Sequence, residues 1–230
     1  MYARGIALSQ IRKNKFAPHY MWYAADNGVY IGWGISIYKR VIQKSVRNVL
    51  IFIAELIIFW FVVRTTKYFF TMDNQIARYL WYSYYIPMLF IPVAVLQAAF
   101  FLGKSEEYRL PKWLKGVYIP TAVLVLLVLS NDLHQLVFSF QVGSAWSDSH
   151  YTYGWGYYVV LVWEVVCALT VFVLMIYKCR HSQKKKYLPL LGIGATVLYS
   201  VLFISGVAWV QEIGGDITAV LCLFFVGILE

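Results

Sequence analysis

The feature that most constrains this chain is a series of apolar stretches, several of them about 20 residues long. A helix needs ~20 residues to cross a hydrocarbon layer about 30 Å thick, and it satisfies its own backbone hydrogen bonds there. Six stretches read as spans of this kind, the last of them short, at approximately 48–68, 79–102, 116–138, 156–177, 188–210 and 217–230. A seventh, at 20–38, is weaker because it contains Asp26, Asn27 and three glycines. We therefore predict an all-α polytopic membrane protein, a seven-transmembrane helix bundle whose last helix is truncated at residue 230.

The composition supports the same class. Of 230 residues, 61% are hydrophobic and 13% are charged, against roughly 25% charged in a soluble domain. The net charge of +9 comes from Lys and Arg in short segments between the apolar stretches, where such residues set topology and touch lipid head groups. We therefore expect a lipid bilayer and no nucleic acid as partner. The cysteines, at 167, 179 and 222, lack metal-ligand spacing, so we expect neither metal nor cofactor.

Basic residues are concentrated in alternate loops. Segments 39–47, 103–115 and 178–187 contain four, four and five of the 20 Lys and Arg residues, whereas 132–155 and 211–216 contain none. The positive-inside rule places the first three segments in the cytoplasm and the other two outside. The C-terminal end of the chain is then cytoplasmic.

The polar N-terminal segment, residues 1–19, is harder to place. If 20–38 spans the bilayer, this segment lies outside with four basic residues, against the usual charge bias. If 20–38 lies flat at the interface, residues 1–47 stay inside. Residues 20–230 form the membrane domain in either case.

The stretch Asn131-Asp132-Leu133-His134-Gln135 places polar side chains at the end of an apolar run. Polar groups within a bilayer are costly unless they face protein, water or a ligand. On a continuous helix, the three-residue spacings predict two adjacent polar faces. Asp132 could orient His134, or both could hydrogen-bond a polar ligand at the outer mouth. Alternatively, Asn131 and Asp132 only cap or tie down the helix end. An imidazole titrates near neutral pH, so a proton is a further possible stimulus.

The following loop is rich in aromatic residues. Tyr151, Tyr153 and Trp155 alternate with small residues, including Gly154 and Gly156. Rings at head-group level are the usual explanation. The alternative is an aromatic lid over a small organic ligand, with glycines letting the rings stand close together.

Two carboxyl groups fall within predicted spans, at Glu55 and Glu164. A charge at the centre of a span costs about 2.5–3.5 kcal/mol on insertion scales and usually faces the bundle interior. Arg78 and Gln97 are possible partners. The four residues predict either an intramembrane polar network that switches with ligand or a static tie between helices.

Four stretches carry a family resemblance: residues 78–92 (RYLWYSYYIPMLFIP), 110–113 (LPKW), 129–138 (LSNDLHQLVF) and 178–180 (KCR). They resemble the seven-transmembrane N-terminal sensor region of bacterial sensor histidine kinases, over most of the chain from about residue 40. One departure is Ser130, where a Thr is expected. The resemblance implies seven helices in a bacterial plasma membrane, an outside N-terminus and a cytoplasmic kinase or similar output domain in cis. It also implies a homodimer.

The resemblance thus predicts a signal-sensing module that binds an extracellular or membrane-borne stimulus and transmits it to that output. The alternative is a small polytopic transporter or channel, although the chain has no internal repeat and no paired broken helices. It has no phosphoacceptor His-Glu box, Asn-rich ATP-binding box or glycine-rich lid, so we do not expect this chain to be an enzyme. An opsin-type photoreceptor is excluded because 188–230 contains no lysine.

Overall fold

The computed structural model describes residues 43–69, 74–101, 104–105, 107–140 and 151–179. It also describes residues 31–32, 34–36, 38–39, 41, 198 and 202. Their helices and strands, in chain order, are α1 (Lys44–Phe69), α2 (Asn74–Ser83), α3 (Tyr85–Phe101), α4 (Lys112–Gly116), α5 (Tyr118–Leu129), α6 (Asn131–His134), β1 (Phe138–Ser139), β2 (Thr152–Tyr153) and α7 (Trp155–Cys179).

Within this described part, four helical stretches are long and apolar enough to cross a membrane, at Lys44–Lys67, Gln75–Phe101, Lys112–Leu129 and Trp155–Lys178. They confirm the predicted spans at 48–68, 79–102 and 156–177 to within a few residues, and the span at 116–138 in part. The predicted spans at 188–210 and 217–230, and most of 20–38, lie outside the described residues.

Proline explains why two of these stretches are interrupted. A proline cannot donate to the carbonyl four residues earlier and its ring clashes with that carbonyl. Pro87 therefore ends α2 at Ser83, and Pro120 ends α4 at Gly116. In each case a new helix begins two residues later, where the missing N–H belongs to a first turn that has no intrahelical acceptor.

Helix α3 lies at the centre of the described bundle and packs against α1, α5 and α7. Its partner face on α1 repeats at helical spacing, with Leu50, Ile53 and Ile57 buried. On α3 this face meets small residues, Ala94 and Ala98 among them. Small side chains let two helix backbones approach closely, which is how helices associate inside lipid.

The predicted helix over 116–138 is interrupted at residue 130 and is wrong over its last four residues. Helix α5 ends at Leu129, α6 adds a single turn, and Gln135 has a left-handed backbone with φ of 49°. The chain then reverses into β1, which pairs antiparallel with β2. The physical reason is the side chain of Asn131, which takes over backbone groups that a continuing helix would use.

The start of α1, the end of α3 and the end of α7 lie together at one end of the bundle. Gln43, just before α1, donates from Nε2 to the carbonyl of Ser105 at 3.2 Å. Lys178, at the end of α7, donates from Nζ to the carbonyl of Phe100 in α3 at 2.7 Å. The α6 turn, the strand pair and the start of α7 lie at the opposite end.

Candidate functional site

The side chain of Asn131 is the centre of a polar network at the end of the bundle that carries the strand pair. It is fully buried and makes four hydrogen bonds. Its Oδ1 accepts from the backbone N–H groups of Val137 and Phe138, both at 3.0 Å. Its Nδ2 donates to the Phe138 carbonyl at 2.8 Å and to the Tyr82 hydroxyl at 3.1 Å. The amide therefore holds the reversing loop and connects it to α2.

Tyr82 extends this network to an ion pair. Its hydroxyl donates to Asp132 Oδ1 at 2.8 Å, and Asp132 Oδ2 lies 2.8 Å from Arg78 Nη2. The side chains of Arg78 and Asp132 are 26% and 20% exposed, so the pair lies at the edge of the core. We call the set Arg78, Tyr82, Asn131 and Asp132 the Asn131 network. It joins α2 to the α6 turn and to the loop that follows it.

The imidazole of His134 stabilises the same loop from its other side. Nδ1 accepts the backbone N–H of Leu136 at 3.0 Å. Nε2 lies 3.1 Å from the Leu127 carbonyl and 3.2 Å from Ser130 Oγ. Because Nδ1 is an acceptor, the neutral ring carries its hydrogen on Nε2, which donates to Leu127.

Two glycines connect this loop to the start of α7. The N–H groups of Gly154 and Gly156 donate to the carbonyls of Val137 and Leu136, at 2.9 and 3.0 Å. A Cβ on Gly154 would overlap the Leu136 carbonyl, and one on Gly156 would lie 3.0 Å from the same oxygen. These glycines therefore allow two backbones to approach, rather than rings to stand close as the sequence suggested.

Phe138 is the hub of an aromatic cluster beside the network. Its ring contacts six others, with centroid distances of 4.6 to 6.2 Å, from Trp81, Tyr82, Tyr85, Tyr151, Tyr153 and Tyr157. Tyr153 and Tyr157 stack at 4.0 Å. Phe138 itself is fully buried. The rings thus form a packed core that fixes the strand pair against α2, α3 and α7.

The predicted sensing residues fall into two groups. Asn131, Asp132 and His134 lie in one connected turn, and Tyr151 and Tyr153 pack on Phe138 beside it. Gln135 and Trp155 instead point outward; Gln135 accepts from Ser139 Oγ at 3.5 Å, and Trp155 is 61% exposed.

Two predictions about the turn were wrong. The polar residues do not present two faces of a continuous helix, because α5 ends at Leu129, α6 is a single turn, and Gln135 lies outside it. Asp132 does not orient His134, because it bonds Tyr82 and Arg78 while His134 bonds backbone groups and Ser130.

The four residues of the predicted intramembrane network are not brought together in the described part. Arg78 pairs with Asp132, and Gln97 accepts from the Tyr118 hydroxyl at 2.6 Å. Glu55 is exposed on α1. Among the described residues, Glu164 Oε1 is buried without a hydrogen-bond partner. The polar network that the described part contains is the Asn131 network, at the end of the bundle.

Tyr82 and Phe138 are the central residues that sequence reasoning missed as site residues. Both lie in stretches that carry the family resemblance, and an aromatic residue in an apolar run is ordinary. No local signal identifies Tyr82, because its partners Asn131 and Asp132 are 49 and 50 positions away. As for metals, no three His, Cys, Asp or Glu side chains converge within the described residues.

The fold and this site define a polytopic helical membrane protein with a polar network at one end of its bundle. The chain matches, over residues 28–229, the family described as the N-terminal 7TM region of histidine kinase. It belongs to that family, which confirms the resemblance found in its motifs. No curated protein and no solved structure matches it.

Proposed function

We propose that this chain is the sensing module of a membrane histidine kinase. In this proposal it binds an extracellular or membrane-borne stimulus at the end of the bundle that holds the Asn131 network. Residues 20–230 form seven spans of a bacterial plasma-membrane protein, with the N-terminus outside and the C-terminal end cytoplasmic. A kinase or similar output domain follows in cis, and the working unit is a homodimer. The family supports the association with a kinase.

The observation that carries the proposal is the continuous set of bonds from α2 to the start of α7. The Asn131 network connects α2 to the reversing loop. The same loop gives two carbonyls to Gly154 and Gly156 at the start of α7. Helix α7 crosses to the basic end, where Lys178 contacts the end of α3. A change in the loop therefore has a direct mechanical route to that end.

Orientation follows from charge. The end that carries Gln43, Ser105 and Lys178 is formed by the segments rich in Lys and Arg, and such segments remain cytoplasmic. The Asn131 network then faces outward, within reach of an external stimulus. A stimulus acts only if it binds one helix arrangement more tightly than another.

The Arg78–Asp132 pair gives a test of coupling. A partly exposed ion pair contributes about 1 kcal/mol, and an equal bias changes the ratio of two states about fivefold. The full-length gene product would be examined in membranes with Asp132→Asn, Arg78→Gln, and the exchanged pair Arg78→Asp with Asp132→Arg. The readout is the amount of phosphohistidine formed from ATP.

We expect each single variant to change phosphorylation or its response severalfold, and the exchanged pair to recover part of the difference. The exchanged pair is the matched control because it alters the same two positions while keeping opposite charges. Unchanged phosphorylation in all three, with normal membrane insertion, would refute coupling through this network. Absence of phosphohistidine from any protein carrying or copurifying with this chain would refute the proposal as a whole.

A further inference from the structure

The ring of His134 uses both of its nitrogens in one protonation state. Nδ1 accepts the N–H of Leu136 at 3.0 Å, and Nε2 donates to the Leu127 carbonyl at 3.1 Å. Ser130 Oγ, 3.2 Å from Nε2, already donates to the carbonyl of Leu126 and can accept a share of the same hydrogen. Only a neutral imidazole with its hydrogen on Nε2 can make these bonds.

A second proton on this ring would break one particular bond. An imidazolium has a donor on each nitrogen, so Nδ1–H would point at the N–H of Leu136, donor against donor. The Nε2 contact with Leu127 would be unaffected. The bond to Leu136 is therefore the one that a second proton would remove.

Leu136 is also the residue that holds the start of α7. Its carbonyl accepts the N–H of Gly156, and the next carbonyl, of Val137, accepts that of Gly154. First-turn N–H groups have no acceptor inside their own helix, so these carbonyls supply what α7 lacks. Directly before Leu136 stands Gln135 with φ of 49°. A non-glycine residue is strained in this left-handed conformation, which favours release once the bond to His134 is gone.

The end of the bundle that holds this ring also contains other charged and titratable groups. Its own contacts, Leu127, Ser130 and Leu136, carry no charge. The nearest carboxylate in sequence, Asp132, is bound by Arg78 and Tyr82. The other charged or titratable side chains of the described residues at this end are Arg64 and Lys67 of α1, Tyr79 of α2, Tyr84 after it, Tyr85 of α3, Tyr151 just before β2, Tyr153 in β2, and Tyr157, Tyr158 and Glu164 of α7.

From this geometry we propose that His134 is a proton-binding site, and that its protonation releases Leu136 and loosens the start of α7. External acid is then a stimulus of this module. The effect on a kinase rests on the proposed function, whereas the proton site and the loop release do not.

Two substitutions at His134 separate the acceptor from the charge. In His134→Asn, the side-chain oxygen can accept the N–H two residues on, as in an Asx-turn, but the side chain does not titrate. His134→Ala has no acceptor at any pH. The whole chain in lipid nanodiscs would be compared with both variants by hydrogen exchange at pH 5 and pH 8. The peptides of interest cover residues 135–140 and 154–158. Rates are divided by those of His134→Asn at the same pH, which cancels the intrinsic pH dependence of exchange.

We expect a ratio near one at pH 8 and of about ten at pH 5 for the wild-type loop, since a buried donor left without a partner loses about 1–3 kcal/mol and 1.4 kcal/mol is tenfold. His134→Ala should exchange fast at both values. Equal ratios at the two pH values would overturn the proposal.

If His134→Asn exchanges as fast as His134→Ala, the protonation of the His134 ring is measured directly. Nitrogen NMR of labelled histidine, with the His134 signal assigned by its loss in a variant, reports which nitrogen carries the proton. A proton on Nδ1 at pH 8 overturns the proposal, and an unprotonated Nδ1 that gains its proton together with a shift of the Leu136 amide supports it.

Phosphorylation of the full-length protein separates the two proposals. A pH response of phosphorylation that is equal in wild type and His134→Asn would overturn acid acting through His134 as a stimulus, and it would leave the sensor function intact. A loop that opens in acid with no change in phosphorylation would support the proton site and count against the sensor function.

Discussion

Replacement of Asn131 by alanine tests the network most directly. The carboxamide is fully buried, and its oxygen is the partner of two backbone donors, those of Val137 and Phe138. A buried donor left unsatisfied loses about 1–3 kcal/mol. Two such groups give about 2–6 kcal/mol, and we expect about 3 kcal/mol because the loop can relax toward solvent.

The assay is unfolding of the purified chain in detergent, by heat and by SDS titration, followed through tryptophan fluorescence. At about 2–4 °C per kcal/mol for a chain of this size, Asn131→Ala should unfold about 6–12 °C below wild type. Gln135→Ala is the matched control. It also removes a carboxamide, but this one is exposed and only accepts from Ser139 Oγ at 3.5 Å, so we expect a change below about 0.5 kcal/mol.

Asn131→Asp sharpens the test because it keeps the shape of the side chain. An ionised carboxylate still accepts from the two N–H groups, but its second oxygen faces the Phe138 carbonyl, to which the amide now donates. A protonated carboxyl could donate there instead. The folded state thus favours the protonated form, so this variant should gain stability as pH falls. If the free energies of unfolding of Asn131→Ala and Gln135→Ala agree within about 0.5 kcal/mol, the role assigned to the Asn131 network is refuted.

Three further predictions concern the neighbouring loop, and the same unfolding assay checks each. Gly154→Ala should lose about 2–3 kcal/mol because its Cβ would overlap the Leu136 carbonyl, whereas Gly116→Ala, with nothing within 4 Å of its Cβ, should lose none. Phe138→Ala should lose about 3–5 kcal/mol, since six rings lose their hub; a loss below 1 kcal/mol would contradict that role. Gln135→Gly should gain about 0.5–1 kcal/mol by relieving the left-handed backbone, and a lower unfolding temperature would show that its side chain matters more than its φ.

Apolar length was enough to place the described membrane helices. A run such as 156–177 favours a helix in a bilayer, because a helix satisfies all backbone hydrogen bonds within the one segment. The observed helix, Trp155–Cys179, differs from it by one or two residues at each end. The breaks at Ser83 and Gly116 each lie four residues before a proline, but Pro92 lies inside α3 without ending it, so proline alone does not predict a break.

The polar site could be located from sequence but its bonding could not. Asn131 and Asp132 were identified because polar residues at the end of an apolar run are unusual. Their partners in α2 are 49 and 50 positions away, and no periodicity connects residues at such separations. The same limit explains Arg78. A guanidinium near a span end could pair with any carboxylate within reach, and only the packing of α2 against the α6 turn selects Asp132 over Glu55 or Glu164.

A buried amide at the end of an apolar bundle must keep its hydrogen-bond partners, a requirement that apolar packing does not impose. Inside lipid, contacts between apolar helix faces replace contacts with lipid tails of equal polarity, so they resist sliding weakly. Helix α7 has many exposed apolar residues among its described positions, and its polar contacts at the two ends therefore matter more to its position than its long middle. At one end these are the carbonyls of Leu136 and Val137, which are available only while Asn131 and His134 hold the loop. Because hydrogen bonds in such a network are made together or left costly, we expect the loop to open as a unit rather than bond by bond. That property is what a module needs if a small stimulus at one end is to move a helix at the other.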